Sequence, residues 1–231
     1  MLSTRCLERG LGRSMQGERL NFACPQPRQI ADACCERRAS CVEGPALEIR
    51  VVQTKLDGVV IVETDYFRDE RGFFIENYHK QRYAEHGITD AFVQDNHSRS
   101  SRAVLRGIHY QDLSAPMAKL VRCTEGVIFD VAVDLRASSP TFGQWYALEL
   151  SAENMHQIRI PSGFGHAFQA LSENVQVHYK TTGYYTPASE GTIAWDDPDL
   201  AIDWPLGPPL LSDRDRHGIT LRAYRTQPAF P

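Results

Sequence analysis

Cysteine is nearly missing from most of this chain: five of the six stand within the first 41 residues, and only Cys123 lies beyond them. A body so poor in thiols carries no disulfide framework and suits a reducing cytoplasm. Long apolar runs are missing too. None approaches the roughly 18 to 20 residues that cross a bilayer, which excludes a helical membrane-spanning protein. There is no basic surplus, because 25 Lys and Arg stand against 29 Asp and Glu for a formal charge of −4. Nothing therefore points to a nucleic-acid track or an anionic membrane surface, and any anion held is small and locally bound. No internal repeat of fixed period is visible.

What is present is the composition of one soluble globular domain with a sizeable core: 231 residues, 42% hydrophobic and 23% charged. Residues 1–46 differ from the rest. They hold seven Arg and five acids, net +2, which leaves −6 on the remaining 185 residues. This leader has little apolar periodicity and no apolar signal core, and Cys34, Cys35 and Cys41 fit no zinc-finger spacing. It reads as a disordered extension. Its acids argue against a transit peptide, and a translated stretch upstream of the real start would look the same. Residues 47–231 form the domain.

From Leu56 onward, short alternating or β-branched runs recur every eight to twelve residues or so, broken by Gly, Pro, Asn and Asp. The expected strands are 59–62, 91–93, 119–123, 127–133, 145–150, 157–160, 167–171 and 175–181, with a hairpin turn at Glu125-Gly126. One short helix is expected over 80–86. The architecture is all-β, a jelly roll with a few short helices. Pro205 to Pro209 and the Pro-containing tail read as extended surface chain. Small jelly rolls often hold a metal through His-x-His, a later carboxylate and a later His. That pattern is absent here, since Gln111 stands two residues after His109, and no metal site is expected.

Several segments bear chemistry. Arg106 and His109 lie three residues apart around Gly107, so one backbone stretch can aim a cation and an imidazole at one ligand. Lys119 shares a strand face with Val121, opposite Leu120. Asp69 to Glu76 puts Arg71 beside a Gly turn and then aromatic and acidic groups, a set suited to a phosphate carrying a flat ring. Gln94, Asp95 and Asn96 present amides and a carboxylate, or form a loop with Asx turns. His166 follows a Gly-permitted turn, and Tyr179, Tyr184 and Tyr185 bring phenols late in the sandwich. Ser212 to His217 is a charge cluster that most proteins would simply solvate.

Taken together and in order, DERGFF, FVQDNHS, VLRGIHYQ, KLVRC, FDVAVDLR, SPTFGQW, LSAEN, IPSGFGHAF, YKTTGYYTPASEG and LSDRD resemble the dTDP-4-dehydrorhamnose 3,5-epimerase family over about residues 56–217. The resemblance implies a cupin-like jelly roll (double-stranded β-helix) and an isomerase that inverts C3 and C5 of a dTDP-4-keto-6-deoxyhexose without a cofactor. Both carbons lie alpha to the C4 carbonyl, so a base and an opposed acid suffice. By this resemblance His109 is the base, Asp215 its partner, Tyr179 the acid and Lys119 the cation near the carbonyl oxygen. Arg71, Glu76, Gln94, Asp95, Asn96, Arg106, His166, Glu190 and Arg214 are implied to bind substrate, and Tyr185 to stack on thymine. Met117 and Ala118 replace the family's usual Gln-Gly, and Arg214 stands where Lys is common. A homodimer with exchanged N-terminal strands is also implied. Alternatives are an epimerase acting at one carbon of a related deoxysugar, a sugar-nucleotide-binding jelly roll without chemistry, and a metal-dependent cupin.

Overall fold

A computed structural model describes residues 47–231; the disorder expected for residues 1–46 concerns a segment outside the described residues. Among the described residues no helix is long and apolar enough to cross a membrane. The strands are β1 (Ile49–Gln53), β2 (Val60–Thr64), β3 (Tyr66–Asp69), β4 (Gly72–Ile75), β5 (Gln94–Ser101), β6 (Leu105–Gln111), β7 (Lys119–Glu125), β8 (Val127–Asp134), β9 (Trp145–Ser151), β10 (Gln157–Ile160), β11 (Phe164–Ala170), β12 (Asn174–Thr181) and β13 (Glu190–Thr192). Three short helices join them: α1 (Lys80–Glu85), α2 (Asp213–Arg216) and α3 (Leu221–Thr226).

The strands form two facing antiparallel sheets, one of six strands in the order β1-β2-β10-β7-β12-β5 and one of five in the order β13-β6-β11-β8-β9. Alternation along each strand decides what lies between them. Val121 and Cys123 of β7, Val175 and Val177 of β12, Ile128 and Ala132 of β8, and Phe164 and Phe168 of β11 close the central core. The opposite faces are also covered. Leu120, Val60 and Val62 pack beneath Tyr83 of α1, while Val131, Val133 and Ala167 pack beneath Tyr224 and Phe230. Burial on both faces explains why every residue of β11 is buried. This is the expected jelly roll.

Three expectations need correction. Glu125-Gly126 does not close a hairpin: β7 pairs with β10 and β12, whereas β8 pairs with β11 and β9, so the turn carries the chain from one sheet to the other. The predicted strand at 91–93 is irregular, and the polar run after it is the strand, β5, laddered along β12 from Gln94 opposite Thr181 to Ser101 opposite Asn174. Polarity misleads there because one face of β5 is solvated and the other lines a wet hollow. The tail is not surface chain. The Tyr224 hydroxyl donates to the Leu135 carbonyl at 2.9 Å and accepts from the Phe230 amide at 3.2 Å, which seals the outer face of the five-stranded sheet.

Removing that hydroxyl leaves two buried backbone groups without a partner. Tyr224→Phe is therefore expected to lower the unfolding free energy by about 2 kcal/mol and the melting temperature by roughly 4–8 °C. Unchanged melting by calorimetry would mean that the tail contributes nothing to the body's stability.

Candidate active site

The site begins with an irregularity in β6. Residues three apart on a regular strand point to opposite faces, yet Arg106 and His109 both line one hollow. The pairing with β11 explains it: His166 lies opposite His109 and Phe168 opposite Arg106, so three steps on β6 match two on β11. The extra residue is a bulge that restores Arg106 and His109 to the same face. Gly107 permits it, with φ of +126° and a position at which a Cβ would stand 2.4 Å from the Ala167 Cβ.

The other wall belongs to the six-stranded sheet. Lys119 of β7, Tyr179 of β12, and Gln94 and Asn96 of β5 reach inward. With His109, Tyr185, Glu190 and Arg214 they line a cavity of about 380 Å³. A smaller hollow of about 140 Å³ shares His109, Lys119, Tyr179 and Arg214 and adds Arg106 and His166. The imidazole and the phenol thus enter from opposing sheets. Loop 182–189 is held over this space by Gln111, whose side chain donates to the Thr186 carbonyl at 3.1 Å and accepts from its amide at 3.0 Å.

Helix α2 supplies the partner of the His109 imidazole. Ser212 caps it, accepting from the Asp215 amide and donating to Asp215 Oδ2 at 2.8 Å. The other carboxylate oxygen, Oδ1, lies 2.5 Å from His109 Nε2. Arg214 Nη2 lies 3.3 Å from Nδ1. A guanidinium only donates, so Nδ1 is the acceptor and the ring's proton sits on Nε2, facing Asp215. Burial pulls the imidazole below its ordinary 6.5, Asp215 opposes that, and Arg214 and Lys119 add to it. Burial alone would raise the Asp215 carboxyl, but the bonds from His109 and Ser212 hold it below the usual range. Burial also lowers the Lys119 ammonium to about 8, against the pull of Asp130 and Glu190, and raises the Tyr179 phenol so that it keeps its proton at neutral pH.

Of the residues singled out in the sequence, His109, Lys119, Tyr179, Gln94, Asn96, Arg106, His166, Tyr185, Glu190 and Arg214 line these hollows, and Asp215 lies beneath the ring. Three are elsewhere in this chain. Asp95 alternates to the outer face of β5 and pairs with Lys180 at 2.7 Å. Arg71 projects from the β3–β4 hairpin, largely exposed and paired with Asp69. Glu76 follows that hairpin and pairs with Arg82 at 2.5 Å. Their flanking motifs fixed their sequence positions without indicating which face of the fold they occupy. The sequence reading missed Gln111 and Asp130. Asp130 is fully buried and bonds His166 Nε2 at 2.9 Å, and its signal was a carboxylate on the inward face of an apolar strand between Ile128 and Ala132.

Comparison with known proteins agrees with this geometry. The family model described as dTDP-4-dehydrorhamnose 3,5-epimerase matches residues 53–223. A Pseudomonas aeruginosa protein named dTDP-4-dehydrorhamnose 3,5-epimerase is 50% identical over 185 residues, covering 79% of this chain and 100% of its own. A protein of the same name from Salmonella typhimurium is 51% identical over 167 residues, covering 71% and 91%. The crystal structure of dTDP-6-deoxy-D-glucose-3,5-epimerase from Legionella pneumophila, in complex with dTDP-4-keto-L-rhamnose, superposes with a TM-score of 0.76 at 47% identity, covering 80% of this chain and 98% of that one. The span matched by the family model contains β2 to β13 and α2, and with them every residue that lines the cavity: the chain belongs to the dTDP-4-dehydrorhamnose 3,5-epimerase family.

Proposed function

We propose that this protein is a cofactor-independent isomerase that inverts C3 and C5 of dTDP-4-dehydro-6-deoxy-D-glucose to give dTDP-4-dehydro-L-rhamnose. The observation that carries the reading is the entry of His109 and Tyr179 into one cavity from opposite sheets, with Lys119 in the same space. Nδ1 of His109 takes the proton from the carbon alpha to the carbonyl, and the C–H electrons pass through the new C=C bond onto the C4 oxygen. Lys119, as an ammonium, stabilises that oxyanion. The Tyr179 hydroxyl then returns a proton to the opposite face, and the configuration inverts. Asp215 keeps the ring's other proton on Nε2 and stabilises the imidazolium that forms. A sugar-nucleotide-binding jelly roll without chemistry would have no use for an opposed base and acid. The thiol-poor body suits the reducing cytoplasm in which we propose that it works.

Substrate binding divides along the cavity. Arg106 and Arg214 are suited to the diphosphate, Tyr185 to the thymine, and Gln94, Asn96 and His166 to polar groups of the ligand. Arg71 and Glu76 need a second subunit to act. The β3–β4 hairpin exposes Phe67, Phe73 and Phe74 at 44%, 53% and 65%, an apolar surface that a lone domain rarely leaves in water. We propose a homodimer in which each hairpin crosses to the partner and completes the partner's cavity. Asp95, on the outer face of β5, is left out of the binding set.

Five outcomes test this reading. Incubation of dTDP-4-keto-6-deoxyglucose with the protein in deuterated buffer is expected to bring deuterium to both C3 and C5. His109→Ala should cut exchange at least 10² to 10⁴-fold while dTDP still binds; a native-like rate in that variant would assign the base elsewhere. The pH profile of kcat/KM should rise through a midpoint below 6.5, as His109 loses its proton, and fall above about 8, as Lys119 loses its own. Lys119→Met should remove the falling limb and lower kcat about 10² to 10³-fold; a limb that persists near that pH contradicts the assignment. Finally, co-expressed Arg71→Ala and His109→Ala chains should regain activity that neither has alone, because mixed dimers contain one intact site. No recovery in verified mixed dimers would place the hairpin in its own subunit.

A further inference from the structure

The four-residue helix α2 addresses both nitrogens of the same imidazole: Asp215 holds Nε2 and Arg214 reaches Nδ1. In the mechanism above, Nδ1 is the nitrogen that must be bare. Here its lone pair is turned toward a guanidinium that has other holds as well. Arg214 Nη1 donates to Glu190 Oε2 at 2.5 Å, and its Nε stands 3.7 Å from Asp215 Oδ1. Glu190 is in turn bonded by the Tyr185 hydroxyl at 2.9 Å. The guanidinium is thus suspended between one carboxylate bond and one imidazole bond. At 3.3 Å the bond to the ring is the longer of the two.

We propose that Arg214 caps the base in the free protein, donating to the Nδ1 lone pair of His109, and that the diphosphate of an arriving sugar nucleotide draws the guanidinium away and bares the base. The inference rests on the epimerase reading and adds a control to it. An oxyanion pair with several acceptor oxygens competes well for a forked donor whose bond to a neutral nitrogen is long. Arg214 is able to move, because its side chain is 47% exposed and its backbone lies in a helix of four residues. Besides Asp215, the charged or titratable groups in these hollows include Lys119, Glu190, Arg106, Tyr179 and His166, none of which bonds the ring. Binding energy from the part of the substrate that does not react is then spent on arming the group that does. A ketosugar lacking the nucleotide would meet a capped base.

The test is ¹⁵N NMR of the full-length, histidine-labelled protein. In the free protein His109 should carry its proton on Nε2, and its Nδ1 resonance should show the upfield displacement that a hydrogen-bond donor produces. Saturating dTDP should abolish that displacement. Arg214→Met, at an exposed position where the fold tolerates change, should abolish it without any ligand. A proton on Nδ1 in the free protein, or an Nδ1 resonance that Arg214→Met does not move, overturns the proposal. A kinetic arm reads the same device. Inorganic pyrophosphate should speed deuterium wash-in to nucleotide-free 4-keto-6-deoxyglucose about tenfold or more in the native protein, and not in Arg214→Met; equal rates with and without pyrophosphate contradict the cap. The NMR result needs no turnover. Failure of exchange with the complete nucleotide sugar would therefore end the epimerase reading while the spectra still decided whether the cap exists.

Discussion

The 2.5 Å pair between His109 Nε2 and Asp215 Oδ1 sets the terms for everything else in the cavity. A buried imidazole serves as a base only if its single proton is pinned to one nitrogen and the other nitrogen faces the reacting carbon. Asp215 can do the pinning because it stays charged, and it stays charged because the bond to His109 and, after it, the bond from Ser212 offset the cost of burial. Ser212 is also the residue that starts the helix carrying Asp215. One serine therefore caps the backbone of α2 and adds to the stabilisation that His109 gives the carboxylate within it. A helix this short has no independent stability, so the cap and the imidazole bond are what define it.

Around this pair the sandwich sets up opposed demands. In the proposed mechanism the Lys119 ammonium must be charged to hold an oxyanion, yet the same burial that makes its charge effective also lowers its proton affinity. Asp130 and Glu190 oppose that loss without bonding the ammonium directly. Asp130 is itself held by His166, and Glu190 by Arg214 and Tyr185, so two carboxylates of the inner wall keep the lysine usable. The cavity is a small network of compensated charges, and the polar residues on the inward faces of β5 and β11 belong to it as much as the reacting groups do.

Much of this was legible in the sequence, and the failures have physical causes. The apolar strands were found because Val, Ile and Phe alternate wherever one face meets the core. β5 was misplaced by three residues because its inward face meets a wet hollow, so Gln94, Asn96 and Ser98 stand where an apolar residue was sought. The spacing of Arg106 and His109 suggested a shared target, but the bulge that makes it so is a matter of pairing with β11, which no local pattern reports. The tail was misread because its Pro residues suggest extended chain and no sustained apolar period marks it, while the few residues that are buried, Leu221, Tyr224 and Phe230, are what anchor it. Arg71 and Glu76 stand apart from the cavity of their own chain, because they sit on or just after the β3–β4 hairpin, and no local pattern reports where a hairpin projects.

The central claim is that a flat ketosugar ring lies between an imidazole and a phenol. The most direct test is a crystal structure with a bound dTDP-hexose, such as dTDP-rhamnose. The account predicts His109 Nδ1 facing one side of the ring at C3 and C5, the Tyr179 hydroxyl facing the other, and the Lys119 ammonium within hydrogen-bond reach of the C4 oxygen. A sugar with both groups on the same side, or one seated outside the cavity with Lys119 turned away, would contradict it.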